Sequence, residues 1–387
     1  MTLEGQLPEL GTAVRDWRSR RRLSQSRLAD LAHVSARHLS FVENGRARPS
    51  RELLLRLTDH LEVPVPQRDA LLVRAGYAPL SRPAPGAAPA HPAGRAAVVE
   101  GIGGWAPPGQ PPWPGERRCT VCGAGGPRAG AGPGTGAPDT VDAAVMAGGR
   151  ALRSAGASGV DALLLATATP ARSGGPAAAP RVAARLGFAG VASFEVSASC
   201  AGFLHGLAGA VALVTSGTVD RALLIGADVV AGEGRQTGGA GAVVLGAGAP
   251  GQPGAVGKVV LGGRGAAAPA PGEDDGRRAG RAGREPLRGA GLAALRGAGW
   301  EPGDIDGVVV HPAVSGLSAG PDGLFGPAVV SGGGVGAGAL PLLLARAVAE
   351  GRFGAGERVL LAGLGEGAVW GAAALCLPAS AAEPVTA

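Results

Sequence analysis

Apolar residues recur at three- and four-residue spacing through the first 76 residues of the chain. This period predicts five short helices, over residues 8–21, 25–32, 36–43, 50–61 and 66–75. Ser24, Ser35 and Ser50 each precede one of these helices, where a serine hydroxyl can accept a hydrogen bond from an otherwise unpaired amide. Gly45 and Gly76 follow two of them and favour a helix end. The sequence therefore predicts an all-helical unit at the start of the chain.

From about residue 96 the pattern changes to short, continuous apolar runs that alternate with Ala-rich helical segments. Runs of strand length cover residues 161–169, 191–196, 221–230, 241–248, 306–313 and 358–365. Helical patterns cover residues 140–156, 200–216, 286–298 and 338–350. This alternation predicts α/β layers with buried strands. Residues 106–138 and 247–284 are rich in Gly, Pro and Arg, and we expect loops there.

The composition between these two patterns indicates where the domains divide. The run APLSRPAPGAAPAHPAG has no apolar period and is typical of an extended, semi-rigid linker. We therefore expect a helical domain over residues 1–78, a linker over 79–95, an α/β domain over 96–378 and a tail over 379–387. A chain of 387 residues is long enough for this arrangement.

Charge is distributed unevenly along the chain. Residues 1–82 hold 14 arginines and 9 acidic residues, and so carry +5 of the net +6. A basic first segment favours an anionic partner, although a solvated charged face would give the same count. The four cysteines are too scattered for a disulfide framework, so we expect a reducing, cytoplasmic compartment. Two long uncharged runs are broken by Gly, Ser or Pro, and we expect no membrane span.

The second and third predicted helices are joined by a tight turn. Such a turn makes the third helix cross the second, and its N-terminal end can then enter a DNA major groove. The segment LSQSRLADLAHVSARHLSFVENGRARPSRELLLRLTDHLEV closely resembles the lambda-repressor-like, XRE-type helix-turn-helix domains, and the resemblance covers residues 8–77. It implies sequence-specific DNA binding. A helical protein-interaction module with a charged face is the alternative.

The resemblance implies two sets of DNA contacts. Four side chains near the start of the recognition helix would face base edges: Arg37, His38, Ser40 and Phe41. Four polar side chains at neighbouring positions would hold phosphates: Gln25, Asn44, Arg46 and Arg48. Hydrogen-bond donors at the starts of neighbouring helices can bind phosphates of one DNA strand. Side chains one helical turn apart can contact adjacent base pairs.

Cys200 lies between a short apolar run and a predicted helix, in the sequence VSASCAGFLHGLA. At a helix N-terminus the positive end of the helix dipole favours the thiolate, which is the nucleophilic form of cysteine. A buried free cysteine is a common structural residue, and the position alone favours that second interpretation. His205, on the same helix, points to another face and is expected to be a packed or exposed histidine.

The residues around Cys200 change this balance. VASFEVSASCAGFLHGLAGAVALVTSGTVDRALLIGADVV resembles ketoacyl-ACP synthase III, a condensing enzyme with the thiolase-like α-β-α-β-α fold. Further blocks agree in order: AVVEGIGGWAPP, DALLLATATP, AGWEPGDIDGVVVHPA and GRFGAGERVLLAGLGEGAVWGAAAL. Together the blocks cover roughly residues 96–377, with gaps. The resemblance implies a homodimer that takes acyl-CoA and acyl carrier protein as substrates and holds no permanent cofactor.

Roles carried over by this resemblance fall on a few positions. Cys200 matches the acyl-accepting nucleophile, and His311 matches the histidine that polarises the incoming thioester carbonyl or helps to activate the thiol. The backbone amides of Cys200 and Glu366 match the oxyanion hole. Trp113 and Arg117 have the Trp-x-x-x-Arg spacing of the family's coenzyme A contacts.

The sequence also departs from the family's pattern. The family's third catalytic residue is an asparagine, which aligns with Gly334, and no asparagine follows Asn44. Loss of that donor removes about 3 kcal/mol of charge stabilisation, or roughly two orders of magnitude in rate. Acyl transfer by a cysteine and a histidine is less affected than decarboxylative condensation.

The sequence leaves two hypotheses of function. One is an acyl-thioester-processing enzyme acylated at Cys200 that transfers or condenses the acyl group. The other is a transcriptional regulator whose synthase-like half senses acyl-CoA or acyl-ACP without turnover. A metal site is not expected, because Cys119-x-x-Cys122 has no second Cys or His pair nearby.

Overall fold

The computed structural model describes residues 7–77, 94–107, 138–168, 177–232, 235–263, 275–311, 329–330, 336–365, 369–380, 382 and 385. The chain divides into two compact units, residues 1–90 and 91–387. In the described parts of both units, no helix combines the length and the apolar character needed to cross a bilayer.

The first unit is helical, as the sequence predicts. Its helices are α1 (Leu7–Arg20), α2 (Gln25–Leu31), α3 (Ala36–Glu43), α4 (Arg51–His60) and α5 (Val65–Arg74). The three predicted serine caps are confirmed: Ser24, Ser35 and Ser50 accept hydrogen bonds from amides three residues ahead. Gly45 and Gly76 both have positive φ, which glycine adopts without a steric cost. Five apolar side chains on α2, α3 and α4 are fully buried: Leu28, Leu39, Val42, Leu54 and Leu57.

The second unit contains two five-stranded sheets. Its strands are β1 (Ala96–Trp105), β2 (Ala162–Ala166), β3 (Ala192–Val196), β4 (Arg221–Gly232), β5 (Arg235–Gly248), β6 (Val256–Gly263), β7 (Gly307–Val310), β8 (Val329–Val330), β9 (Arg358–Gly365) and β10 (Val369–Cys376). Its helices are α6 (Thr140–Ser154), α7 (Ala178–Arg185), α8 (Gly202–Thr215), α9 (Asp275–Ala298) and α10 (Ala339–Ala349).

The two sheets share one topology. The first has the order β1-β5-β4-β2-β3, and the second has the order β6-β10-β9-β7-β8, which is the same arrangement five strands later. In each sheet the three strands at one end are parallel and the other pairs are antiparallel. The second unit is therefore built from two halves with the same fold.

Helices cover both faces of the sheets and fill the space between them. Helices α6 and α7 pack on the outer face of the first sheet, and α9 packs on the outer face of the second. Helices α8 and α10 lie in the central core and contribute Phe203, Leu204 and Leu343. Strands β2 and β7 are buried along their whole length, which explains their continuous apolar sequence. The five layers confirm the predicted α-β-α-β-α fold.

One expectation from the sequence is wrong. Residues 247–284 were expected to be loops, but they contain β6 and the first ten residues of α9. Glycines and Lys258 interrupt the apolar pattern of β6, and the strand is defined by its antiparallel pairing with β10. The sequence pattern predicted a helix only over residues 286–298, whereas α9 begins at Asp275 and contains Pro286. Helix α7, from Ala178 to Arg185, was also missed.

Candidate active site and DNA-binding surface

The structure places Cys200 in a tight turn between a strand and a helix. Strand β3 ends at Val196, a single 3-10 turn covers Ser199–Ala201, and α8 begins at Gly202. Ser199 has φ of 49°, a left-handed conformation that non-glycine residues adopt at an energetic cost. Cys200 itself is 1% exposed. This strained turn fixes the position of the cysteine ahead of the first turn of α8.

His311 follows the last residue of β7 and is held on two sides. Its backbone N–H donates to the carbonyl of Ala362 in β9, at 3.0 Å, and its Nε2 lies 3.0 Å from the carbonyl oxygen of Gly336. The side chain is fully buried. Burial lowers the pKa of His311 from 6.5 to about 4, although the hydrogen bond to Gly336 acts in the opposite direction. The imidazole is therefore neutral at physiological pH.

Cys200 and His311 flank the same glycine of β9. A Cβ placed on Gly363 would lie 3.8 Å from the Cβ of His311 and 4.0 Å from the carbonyl oxygen of Cys200. Gly365, two residues later, is as close to the Cys200 turn: its Cβ would lie 3.2 Å from the amide nitrogen of Ala201. The chain thus brings the predicted nucleophile and histidine together across the end of one strand.

Four residues of the predicted site lie outside the described residues. They are Trp113, Arg117, Gly334 and Glu366. Gly365, directly before the predicted oxyanion-hole amide, is described and packs against the Cys200 turn. Among the described residues, no group of three or more His, Cys, Asp or Glu side chains could hold a metal ion.

One buried acidic residue beside this site was not identified from the sequence. Asp228 lies in β4 and is completely shielded from solvent. Its carboxylate accepts hydrogen bonds from the hydroxyl of Thr167 and from the amides of Ala168 and Ala337. The signal was present, because an Asp within the apolar run RALLIGADVV needs partners if that strand is buried.

The first unit presents the predicted recognition helix as an exposed surface. Arg37 and Phe41 on α3 are exposed, and the guanidinium carbon of Arg37 lies 5.6 Å from the centroid of the Phe41 ring. His38 and Ser40 are partly exposed. A bare aromatic ring next to an arginine on one helix face is a surface that can reach base edges.

The residues expected to hold phosphates have different surroundings. Arg46 and Asn44 are exposed, and Asn44 accepts a hydrogen bond from Arg15 through its side-chain oxygen. Arg48 donates to the carbonyl of Ala75 at 2.7 Å and lies over the ring of Tyr77, at the end of α5. If Arg48 also binds a phosphate, its guanidinium must do so while it contacts Ala75 and Tyr77.

Gln25 belongs to a buried polar cluster at the end of α3. Its amide donates to Glu43, which is 2% exposed and also receives two hydrogen bonds from Arg18, at 2.7 and 3.0 Å. These hydrogen bonds from Arg18 to Glu43 raise the pKa of Arg18 above its ordinary value, against the opposing effect of burial. The cluster joins α1, α2 and α3 and so fixes the angle of the recognition helix.

Comparison with known protein families gives three matches along the chain. Residues 9–71 match a helix-turn-helix domain. Residues 194–265 match the family described as 3-oxoacyl-[acyl-carrier-protein (ACP)] synthase III, and residues 328–377 match its C-terminal part. The second match contains Cys200 and Asp228.

Individual proteins agree with these matches. The beta-ketoacyl-[acyl-carrier-protein] synthase III 2 of Streptomyces coelicolor is 40% identical over 275 residues, which covers 64% of this chain and 81% of that protein. Synthase III 3 of the same organism is 39% identical over 280 residues and is covered to 83%. The crystal structure of the 3-oxoacyl-(acyl carrier protein) synthase III of Pseudomonas aeruginosa PAO1 superimposes with a TM-score of 0.58 at 31% identity, over 73% of this chain and 98% of that one.

Proposed function

The chain belongs to the 3-oxoacyl-[acyl-carrier-protein] synthase III family and carries a helix-turn-helix domain ahead of the synthase unit, and from this premise we propose an acyl-thioester-processing enzyme with a DNA-binding domain. In this proposal Cys200 accepts an acyl group from acyl-CoA or acyl-ACP and passes it to a second acceptor. The observation that carries the proposal is the position of Cys200 in the turn before α8, with His311 on the other side of Gly363.

The proposed reaction begins with the deprotonated sulfur of Cys200. The thiolate attacks the carbonyl carbon of the thioester, a new carbon–sulfur bond forms, and the carbonyl electron pair moves onto oxygen. The amides of Cys200 and Glu366 would stabilise this oxyanion by hydrogen bonds. The intermediate collapses, the coenzyme A or carrier thiolate leaves, and the acyl group remains on Cys200.

His311 would act as a hydrogen-bond donor in this scheme. Its Nε2 faces a carbonyl oxygen, and a carbonyl oxygen can only accept a hydrogen bond, so Nε2 carries the hydrogen. The imidazole is neutral, since burial lowers its pKa to about 4. When a bound thioester replaces the Gly336 carbonyl as its acceptor, the neutral Nε2–H can polarise the thioester carbonyl, whereas it cannot take the proton of a thiol through that nitrogen.

We propose acyl transfer in preference to decarboxylative condensation. The sequence has no asparagine after Asn44, so the amide donor that the family uses beside its histidine has no counterpart in the synthase unit. Loss of one such donor costs about two orders of magnitude in the rate of a step that develops charge. The same observation favours a second candidate function, a regulator that binds an acyl thioester through the synthase unit and DNA through the first.

Acylation can be tested directly on the full chain. The purified protein is treated with a phosphine reductant, incubated with radiolabelled acetyl-CoA and denatured before electrophoresis. We expect label on the wild type and on Cys376→Ala, and none on Cys200→Ala, because Cys376 is a free cysteine at the end of β10 and not in the turn before α8.

Two outcomes separate the candidates. Label that stays on Cys200 until a second thiol is added, and is then lost, supports the transferase. Absence of label on the reduced wild type, together with saturable binding of acetyl-CoA by calorimetry, refutes the enzyme and supports the regulator.

DNA binding by the first unit is the second part of the proposal. It is supported by the exposed face of α3, on which Arg37 and Phe41 lie. Selection of binding sequences from a random pool should yield a preferred site, and Arg37→Ala should lose that preference while it keeps non-specific binding. Arg56→Ala, which removes an equal charge from α4, should keep the preference. A wild-type protein that binds all DNA sequences equally well would contradict the proposal.

We also propose that the synthase unit forms a homodimer through β3. This strand is at the edge of the first sheet, its burial is incomplete, and its Phe194 is 43% exposed. An unpaired edge strand with an exposed aromatic residue is a template for pairing with another strand. Light scattering after gel filtration should give a dimer for the wild type and a monomer for Phe194→Glu. A monomeric wild type would refute this interface.

A further inference from the structure

Asp228 is the most completely enclosed carboxylate of the described synthase unit, and it joins three separate segments. Its Oδ1 lies 2.8 Å from the hydroxyl of Thr167 and 3.0 Å from the amide of Ala168, both directly after β2. Its Oδ2 lies 2.7 Å from the amide of Ala337, in the turn before α10. A buried carboxylate is tolerated only when donors such as these compensate its lost hydration.

The Ala337 amide belongs to the peptide group that contacts His311. The N–H of this peptide group, on Ala337, donates to Asp228, and its C=O, on Gly336, accepts from Nε2 of His311 at 3.0 Å. One peptide group therefore stands between a carboxylate and the imidazole. The three groups form a continuous chain of hydrogen bonds from β4 to the end of β7.

The packing of the turn shows that this arrangement is specific. Gly336 has φ of 61°, and a Cβ at this position would overlap Oδ2 of Asp228. The carbonyl of Ala337 lies against Gly226, where a Cβ would approach to 2.5 Å. A Cβ on Gly202, at the start of α8, would lie 3.2 Å from the side chain of Ala337. The turn is thus clamped between Asp228, β4 and the helix that follows Cys200.

A peptide group whose N–H donates to a carboxylate is polarised, and its carbonyl oxygen becomes a stronger acceptor. This effect favours a hydrogen on Nε2 of the histidine in preference to Nδ1. We propose that Asp228 is a positioning residue that acts on His311 through the Gly336–Ala337 peptide group and holds the imidazole with its hydrogen on Nε2. The catalytic use of that hydrogen rests on the proposed function, but the tautomer itself does not.

The tautomer can be observed by nitrogen NMR on the full chain at neutral pH. The six histidines are labelled with ¹⁵N, and the His311 signals are assigned by their loss in His311→Gln. Long-range proton–nitrogen correlation then shows which ring nitrogen carries the hydrogen. We expect Nε2–H in the wild type. Nδ1–H in the wild type would overturn the inference without any further variant.

Three variants test the role of Asp228. Asp228→Ser removes the carboxylate and the Oδ2 that accepts from the Ala337 amide, and we expect a mixture of both His311 tautomers. Asp228→Asn keeps an oxygen for that amide but loses the charge, so we expect Nε2–H with its proton signal shifted upfield. Thr167→Val removes a different donor to the same carboxylate and should leave the His311 signals as in the wild type. A folded Asp228→Ser with an unchanged spectrum would overturn the inference.

Kinetics adds a second measurement and separates the two proposals. Transfer of the acyl group from Cys200 should slow by roughly 10²-fold in Asp228→Ser and partly recover in Asp228→Asn, since a misplaced catalytic group has effects of this size. If Asp228→Ser does not fold, the upfield shift in Asp228→Asn decides the question, and its absence refutes the inference. If the tautomer depends on Asp228 but Cys200 is never acylated, the proposed function fails while the Asp228–His311 connection stands.

Discussion

Acidification should destabilise the synthase unit through His311, and the size of the effect follows from its burial. The ring is completely shielded, and its pKa falls from 6.5 to about 4 because a buried charge loses its hydration. Between these two pH values the unfolded chain binds a proton at this position and the native protein does not. The free energy of unfolding therefore falls as the pH falls through this window, and the loss levels off below pH 4.

The magnitude can be worked out from the pKa difference. At pH 4 the unfolded histidine is fully protonated and the native one is half protonated. Proton binding therefore stabilises the unfolded chain more than the native protein, by the equivalent of about 2.2 pH units, or about 3 kcal/mol. This is a large part of the stability of an ordinary domain, about 5–15 kcal/mol. His311→Gln has no group to titrate, so its loss of stability from pH 7 to pH 4 should be about 3 kcal/mol smaller.

Urea unfolding at a series of pH values measures this difference. Trp17 is replaced by Phe in both proteins, so that the remaining tryptophan fluorescence reports on the synthase unit alone. Subtraction of the two pH profiles removes the contribution of the carboxylates, which both proteins share. Parallel profiles for the two proteins would refute the reasoning, because His311 would then titrate alike in the native and unfolded states.

Three further predictions concern stability and can be measured by urea or thermal unfolding. Gly336→Ala should lower the free energy of unfolding by roughly 3 kcal/mol, because the backbone there is left-handed and the new Cβ would overlap the Asp228 carboxylate. Gly351 is also left-handed but lies in open space, so Gly351→Ala should lower it by about 1–2 kcal/mol. Equal losses of stability in these two variants would contradict the prediction for Gly336, because the overlap with Asp228 would then add nothing. Arg18→Met should lower the free energy of unfolding by roughly 3–5 kcal/mol, because the buried Glu43 loses the arginine that donates two hydrogen bonds to it and keeps only Arg15, at 3.8 Å, as a charged partner. Arg56→Met, from an exposed pair, should lower it by less than about 0.5 kcal/mol. Ser35→Ala should cost about 1 kcal/mol through loss of the α3 cap.

Much of the fold could be predicted because local signals and tertiary structure agree. The serine caps and the three- to four-residue period located the five helices of the first unit within a few residues. Strands β2 and β9 are buried almost throughout, and their continuous apolar runs identified them. Strand β6 has no such signal, since Gly257 and Lys258 interrupt it, and only its pairing with β10 makes it a strand.

The residues of the candidate site could also be predicted only in part from the sequence. Cys200 and His311 could be named from the sequence, because the residues around them resemble a known family over several blocks. Asp228 could not, since its role depends on the amide of Ala337, which is 109 positions away along the chain.

The sequence by itself determined the helical unit with its exposed recognition helix, the alternation of buried strands and helices, and the identity of a cysteine and a histidine with reactive potential. These features depend on the chemistry of neighbouring residues and on periods of two or 3.6, which are written along the chain. Tertiary structure decided that Cys200 and His311 flank Gly363, that His311 is buried and neutral, and that a carboxylate reaches it through one peptide group. Burial, tautomer and pKa are properties of distant segments packed together, so no local stretch of sequence contains them.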